Sequence, residues 1–71
     1  MFGKTQTIVI SVEGMMCEHC KAHVERALLG VKGVRSATAD ITAKTATVVA
    51  KASVSTEALK TAIVKAGYKV N

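Results

Sequence analysis

Residues 5–20 read TQTIVISVEGMMCEHC and carry the most informative pattern in this sequence. Residues 5–13 alternate between apolar and polar side chains, which is typical of a half-buried β-strand. Gly14 ends that alternation. A short loop then carries Cys17, and Cys20 opens a stripe of apolar residues at helical spacing. The pattern predicts a strand, a loop with the first cysteine, and a helix whose first turn contains the second cysteine.

Two further strands are predicted beyond this helix. The apolar stripe ends near Gly30, and residues 30–33 read as the helix C-cap and turn because glycine can take a positive φ. Residues 34–40 and 45–51 are rich in Thr, Val and Ala, which favours a pair of hairpin strands. The side chains predicted to face the core from this pair are Ala37, Ala39, Ile41, Ala46, Val48 and Ala50.

A second helix and a last strand complete the predicted elements. Ser55 is suited to cap the helix N-terminus, and Val54 with Leu59 has the spacing of a hydrophobic staple. Gly67 ends the helix, and residues 68–70 are just long enough for a strand. The side chains predicted to point inward from this helix are Ala58, Leu59, Ala62, Ile63 and Ala66.

The resulting order is βαββαβ. It predicts a ferredoxin-like α+β sandwich in which a four-stranded antiparallel sheet carries two helices on one face. No linker or repeat interrupts the pattern, so we expect residues 1–71 to form a single domain.

The composition indicates a small globular protein whose chemistry lies at its surface. The hydrophobic fraction of 49% is too high for a disordered chain, and no apolar run is long enough to span a bilayer. With one Phe, one Tyr and no Trp, the chain has little material for the walls of an enclosed catalytic cleft. We therefore expect a protein that is not an enzyme. The N-terminus lacks the pattern of an export signal, which predicts a cytoplasmic location.

The net charge of +5 raises the question of an acidic partner. Nucleic acid is not expected, because the basic residues are scattered, only two of them are Arg, and there is no set of aromatic residues to stack on bases. Docking onto an acidic protein surface is the interpretation that the charge favours.

Cys17 and Cys20 are the candidate chemical groups. Side chains three positions apart on a helical turn lie about 5–6 Å apart at Cβ, so both sulfurs can converge on one ion. The positive end of the helix dipole also favours the thiolate form. In a reducing compartment such a pair is more often metal-binding or redox-active than a structural disulfide.

The donor set indicates which metal is bound. Two thiolates without a zinc-finger spacing of histidines suit a soft ion of low coordination number, Cu(I), better than tetrahedral zinc. His19 and His23 lie too near the cysteines for that spacing, and Lys21 after the second cysteine excludes covalent haem. A thiol–disulfide oxidoreductase is the alternative for C-x-x-C, although this chain has no Pro to pack beside such a motif.

The motif G-M-x-C-x-x-C at residues 14–20, the βαββαβ order and the pair Gly67-Tyr68 together resemble the heavy-metal-associated domain family. The resemblance covers nearly the whole chain. Within that family, a free-standing single domain with Tyr after the late Gly is similar to the bacterial copper chaperones. Those proteins carry Cu(I) in the cytoplasm to copper-exporting P-type ATPases or to copper-responsive repressors.

The resemblance also implies roles for individual residues. It implies that Cys17 and Cys20 bind Cu(I), that Met15 packs beneath the loop, and that Tyr68 lies close to the metal. His19 is a variable position of the family motif and a possible additional ligand.

The expected function is that of a copper carrier. It would hand Cu(I) by ligand exchange to the metal-binding domain of a copper-transporting P-type ATPase or to a copper-responsive repressor. The alternative in the same family is a metal-binding domain that forms part of such an ATPase. We also expect a copper-dependent homodimer with His19 or Tyr68 at the contact, and no direct insertion into a membrane.

Overall fold

The computed structural model describes residues 4–70, and it confirms the predicted element order. The elements are β1 (Thr5–Glu13), α1 (Glu18–Leu29), β2 (Val34–Asp40), β3 (Thr45–Lys51), α2 (Thr56–Lys65) and β4 (Lys69–Val70). The strands pair antiparallel in the order β2-β3-β1-β4, and both helices pack on one face of the sheet. This is the predicted ferredoxin-like sandwich. Neither helix is long and apolar enough to cross a membrane.

The core lies between the sheet and the two helices. The alternation in β1 buries Ile10 and Val12 against the helices and leaves Val9, which precedes them, exposed on the open face of the sheet. Three of the six buried residues of the sheet are Ala, so larger side chains of the helices fill much of the core. The largest fully buried side chains are Leu28, Leu59, Ile63, Val12, Val24 and Val48.

The two helices begin in different ways. Ser55 caps α2 as predicted, since its Oγ accepts a hydrogen bond of 3.2 Å from the backbone N–H of Ala58. Cys17 occupies the N-cap position of α1, but its side chain makes no capping hydrogen bond. The first cysteine therefore holds the position of a capping residue while its sulfur stays free for other partners.

Two predictions about inward-facing side chains are wrong. Ala58 is exposed, because α2 turns Leu59 and Ile63 into the core and Ala58 lies on the first turn beside the solvent. Ile41 lies in the turn after β2 and is only half-buried, so it does not extend the core-facing row of that strand. The buried face of the sandwich is therefore narrower than the apolar pattern indicates.

The turn after α1 lies where the sequence predicts it, with Gly30 as the helix C-cap. Gly30 has a helical φ of −73°, and it is Gly33 that takes a positive φ, of +98°. A Cβ atom at position 33 would lie 2.6 Å from Cγ2 of Val54. Glycine is thus required at the second of the two positions, both for the backbone conformation and for the close approach of Val54.

We expect Gly33→Ala to destabilise the fold by about 2 kcal/mol, because it combines an unfavourable φ with a steric clash. Gly67→Ala is the matched control, since Gly67 has a similar φ of +100° but nothing within 4 Å of its added Cβ. The free energy of unfolding of that variant should fall by about 1 kcal/mol, which is the cost of the unfavourable backbone conformation alone. Urea unfolding of both variants measures the difference, and equal losses would show that the Val54 contact costs nothing.

Candidate metal centre

The two cysteines lie at one end of the sandwich, where β1 passes into α1. Cys17 is the N-cap residue and Cys20 is in the first turn of α1, as predicted. Their Sγ atoms are 3.6 Å apart; Cys17 is exposed and Cys20 half-buried. The helix geometry thus brings both sulfurs to one point of the surface.

This separation suits a shared ion. Two sulfurs that each lie about 2.3 Å from one ion can be no more than about 4.6 Å apart, and 3.6 Å is within that limit. No group of three or more Cys, His, Asp and Glu side chains within residues 4–70 is placed to hold a metal. The centre therefore offers two sulfur donors, which is the arrangement that suits a soft ion of low coordination number.

The surroundings of Cys20 favour its thiolate. The pKa of Cys20 is lowered from 9.0 to about 7, first by the backbone N–H of Met16, then by the Tyr68 hydroxyl and by the Cys17 side chain, while burial acts in the opposite direction. A thiol with this pKa is about half ionised at neutral pH, and the thiolate is the form that binds metal. The metal-free protein can therefore bind a metal ion at neutral pH without a large free-energy cost for deprotonating Cys20.

Tyr68 lies beside the cysteines, which agrees with what the family resemblance implies. The turn at Gly67 places it there, and its backbone N–H donates to the carbonyl of Ile63 over 3.2 Å. The pKa of Tyr68 is raised, first by its hydrogen bond to Cys20 and then by burial and by the negative charge of the two cysteines. The hydroxyl therefore stays protonated at neutral pH.

His23 is a neighbour of this centre that the sequence analysis considered only for zinc-finger spacing and did not place at the site. Its Nδ1 is 3.4 Å from the Tyr68 hydroxyl, and the two rings meet edge to face with centroids 5.7 Å apart. The sequence does contain a signal for it, because His23 follows Cys20 by three residues and so lies on the same side of α1. His23 fixes the tyrosine ring that faces Cys20.

The other predicted residues lie around the cysteines at different depths. Met15 is 4% exposed and belongs to the core beneath the loop, whereas Met16 is 86% exposed. His19 is exposed on the first turn of α1 and joins no three-residue donor group within residues 4–70. The loop therefore presents Met16 and the sulfur of Cys17 to the solvent, with Met15 holding it to the core.

Removing the Tyr68 hydroxyl should make Cys20 less reactive at neutral pH. We expect Tyr68→Phe to raise the pKa of Cys20, so that its alkylation at pH 7 slows about two-fold or more and the reactivity midpoint moves to higher pH. Mass spectrometry of iodoacetamide-treated, reduced protein over a pH series measures this. His19→Gln is the control, since His19 is an exposed residue of the same helix turn and its replacement leaves the Tyr68 hydroxyl and its contact with His23 in place. An unchanged midpoint in Tyr68→Phe would mean that the hydroxyl does not lower the pKa of Cys20.

The comparisons with known proteins agree with this geometry. Residues 9–69 match the sequence profile of the heavy-metal-associated domain. The chain belongs to the heavy-metal-associated domain family. It is 44% identical over 63 residues to the copper chaperone CopZ of Staphylococcus haemolyticus, a match that covers 87% of this chain and 93% of that protein. The solved structure of a CopZ metallochaperone superposes with a TM-score of 0.90 at 37% identity, and the match covers 93% of this chain and 100% of that one.

Members of the family also occur within much larger proteins. The chain is 42% identical over 62 residues to the mercuric reductase of Acidithiobacillus ferrooxidans, which covers 87% of this chain but only 11% of the enzyme. It is 46% identical over 44 residues to the copper-exporting P-type ATPase of Vibrio cholerae, which covers 62% of this chain and 5% of the ATPase. In these two relatives the domain is one small part of the whole.

Proposed function

We propose that this chain binds one Cu(I) through Cys17 and Cys20 and passes it to another protein by ligand exchange. The observation that carries the proposal is the pair of sulfurs 3.6 Å apart at an exposed end of the domain, with no third Cys, His, Asp or Glu placed to complete a metal site within residues 4–70. The similarity to the copper chaperone CopZ over nearly its whole length supports copper as the cargo. The protein is then a carrier and not an enzyme.

The proposed transfer depends on how open the site is. Two thiolates leave positions on Cu(I) free for the sulfur of an acceptor, so the ion can be shared by the two proteins before it leaves the first. Cys17 is the exposed member of the pair and is the more accessible to an acceptor. Cys20, half-buried and with a pKa lowered by its surroundings, would be the last ligand to release the ion.

The proposed acceptor is the metal-binding domain of a copper-transporting P-type ATPase. The similarity to part of the Vibrio cholerae copper-exporting ATPase supports this, since donor and acceptor of one fold can present equivalent cysteine pairs to each other. A copper-responsive repressor is the second proposed acceptor. We place the protein in the cytoplasm, as a single domain over residues 1–71, and propose that two loaded chains form a copper-bridged dimer through their exposed cysteines.

Transfer is tested by mixing the Cu(I)-loaded chain with the metal-free N-terminal domain of a copper-exporting ATPase. We expect copper to redistribute between the two within the mixing time, and to do so in the presence of a chelator that removes free Cu(I). Separation by ion exchange followed by metal analysis measures the redistribution. Transfer that stops when the chelator is present would mean that copper passes through solution, which would contradict ligand exchange.

The same experiment addresses the alternative that the domain is the receiving part of an ATPase. The similarity to the ATPase segment favours this second candidate. A free-standing carrier should give up copper to the ATPase domain, whereas an acceptor domain should withdraw copper from a loaded CopZ protein and retain it. The position of equilibrium in the two mixtures separates the candidates.

A further inference from the structure

The end of this protein opposite the cysteines carries the larger net positive charge. Lys51 ends β3 and pairs in register with Thr5, and its backbone N–H donates to the Gly33 carbonyl over 2.9 Å. The Ala52 N–H in turn donates to the Lys4 carbonyl over 3.0 Å. These backbone contacts bring together four exposed side chains that we name the basic pole: Lys4, Lys32, Arg35 and Lys51.

The acidic side chains lie elsewhere. Three of the five are at the cysteine end, namely Glu13, Glu18 and Asp40. The carboxylate of Glu25 is engaged on the backbone, where it accepts a 2.8 Å hydrogen bond from the Ala39 N–H. Only Glu57, in the first turn of α2, lies at the end of the basic pole.

The two ends carry equal numbers of cations but different numbers of carboxylates. At the cysteine end lie Lys21, Lys44, Lys65 and Lys69, of which Lys21 pairs with Glu18 in the single salt bridge found within residues 4–70. Four cations against three carboxylates leave that end with a net charge of +1, whereas the basic pole together with Glu57 has a net charge of +3. The net charge of +5 therefore acts more strongly through the basic pole.

We propose that the basic pole binds the surface of anionic phospholipid bilayers. Three of its four residues are Lys, a residue that protein–protein interfaces use sparingly and that anionic lipid headgroups attract. The four side chains project from strand ends and a turn, and Lys32 and Lys51 also line a solvent-open depression of about 360 Å³. Leu29, 51% exposed at the last position of α1, adds an apolar side chain near these cations that can enter the headgroup region.

This orientation fixes where the cysteines would lie. β1 runs from Thr5 at the basic pole to Glu13 beside the cysteine loop, a distance of about 26 Å at about 3.3 Å per residue. A chain held by its basic pole would thus present the cysteines to the solvent side, away from the lipid. The inference does not rest on copper, although with the proposed function it would concentrate a carrier near membrane-embedded acceptors.

The test is co-sedimentation of the reduced protein with vesicles at low salt. We expect binding to vesicles that contain phosphatidylglycerol, no binding to pure phosphatidylcholine, and loss of binding at high salt. Each cation near an anionic surface contributes about five-fold to partitioning, so Lys32→Gln/Lys51→Gln should weaken binding about 25-fold. The control Lys65→Gln/Lys69→Gln changes the net charge equally at the cysteine end and should weaken it less than about five-fold.

The outcomes that would overturn the proposal are distinct. Absence of binding to the anionic vesicles at low salt would contradict it. Equal losses of vesicle binding in the two double variants would also contradict it, because they would mean that net charge alone sets the binding. Preference for a short DNA duplex over the vesicles in a competition would assign the pole to nucleic acid instead. Circular dichroism establishes that both variants are folded.

A second readout tests the orientation. A bulky polymer-linked maleimide should react with Cys17 and Cys20 equally fast in the presence and absence of bound vesicles. Marked protection of the cysteines by anionic vesicles would place the cysteine end on the lipid and contradict the orientation. None of these readouts involves copper, so their failure is distinguishable from failure of the proposed function.

Discussion

Cys17→Ser and Cys20→Ser should each lower the Cu(I) affinity of the reduced protein by more than about 100-fold. Changes to groups that merely orient metal ligands cost about 10–100-fold, and loss of one of only two donors should exceed this. Within residues 4–70 no Cys, His, Asp or Glu side chain joins the two sulfurs in a group of three that could hold a metal ion. Competition with a chromophoric Cu(I) chelator under anaerobic conditions measures the loss.

His19→Ala is the matched control for this experiment, because His19 lies between the two cysteines in sequence but is exposed and outside any three-residue donor group of the described chain. We expect its affinity to stay within about ten-fold of the parent. A loss as large as that of the cysteine variants would make His19 a ligand. Full affinity in either serine variant would contradict the two-sulfur centre.

Leu28→Ala should destabilise the fold by about 3 kcal/mol, because Leu28 is fully buried and its truncation leaves a cavity between α1 and the sheet. Such a loss is a large part of the stability of a small domain, which is typically about 5–10 kcal/mol. Leu29→Ala removes the same atoms from a side chain that is 51% exposed, and we expect it to cost less than about 1 kcal/mol.

Urea unfolding of the two leucine variants gives this comparison directly. Both variants carry the same substitution at neighbouring positions of one helix, so differences in helix propensity cancel. Losses of similar size would mean that the helix face in contact with the sheet is not the one described.

Most of the fold could be predicted from the sequence because the local structural preferences of the residues agree with the tertiary contacts that they make. The alternation in residues 5–13 predicts β1, and the same side chains then form the buried face of that strand. Gly14 and Gly67 mark the ends of elements because both take a positive φ. Ser55 could be predicted as a cap because its hydrogen bond joins residues only three apart.

The errors occur where distant contacts decide between local alternatives. Helix α2 is rich in Ala, a residue that suits either face, so the sequence does not show that Ala58 is exposed while Leu59 is buried. Two glycines flank the turn after α1, and the sequence does not show that Val54 approaches Gly33 too closely for any side chain there. Such contacts join residues from different elements and cannot be predicted from a local sequence pattern.

The candidate site shows the same division. The spacing of Cys17 and Cys20 predicts that their sulfurs converge, because both lie at one helix start. The contact of Tyr68 with His23 joins residues 45 positions apart, and only the fold brings them together. The net charge of +5 is likewise visible in the sequence, whereas its unequal division between the two ends depends on which strand ends meet.

The central claim is that this chain is a two-sulfur carrier of Cu(I). Its most direct test is an anaerobic titration of the reduced protein with Cu(I) and, separately, with Zn(II), each in competition with a chelator of known affinity. We predict tight binding of one Cu(I) per chain and much weaker binding of Zn(II), since zinc requires four donors and the centre offers two. Preferential binding of Zn(II), or no stoichiometric binding of Cu(I), would contradict the claim.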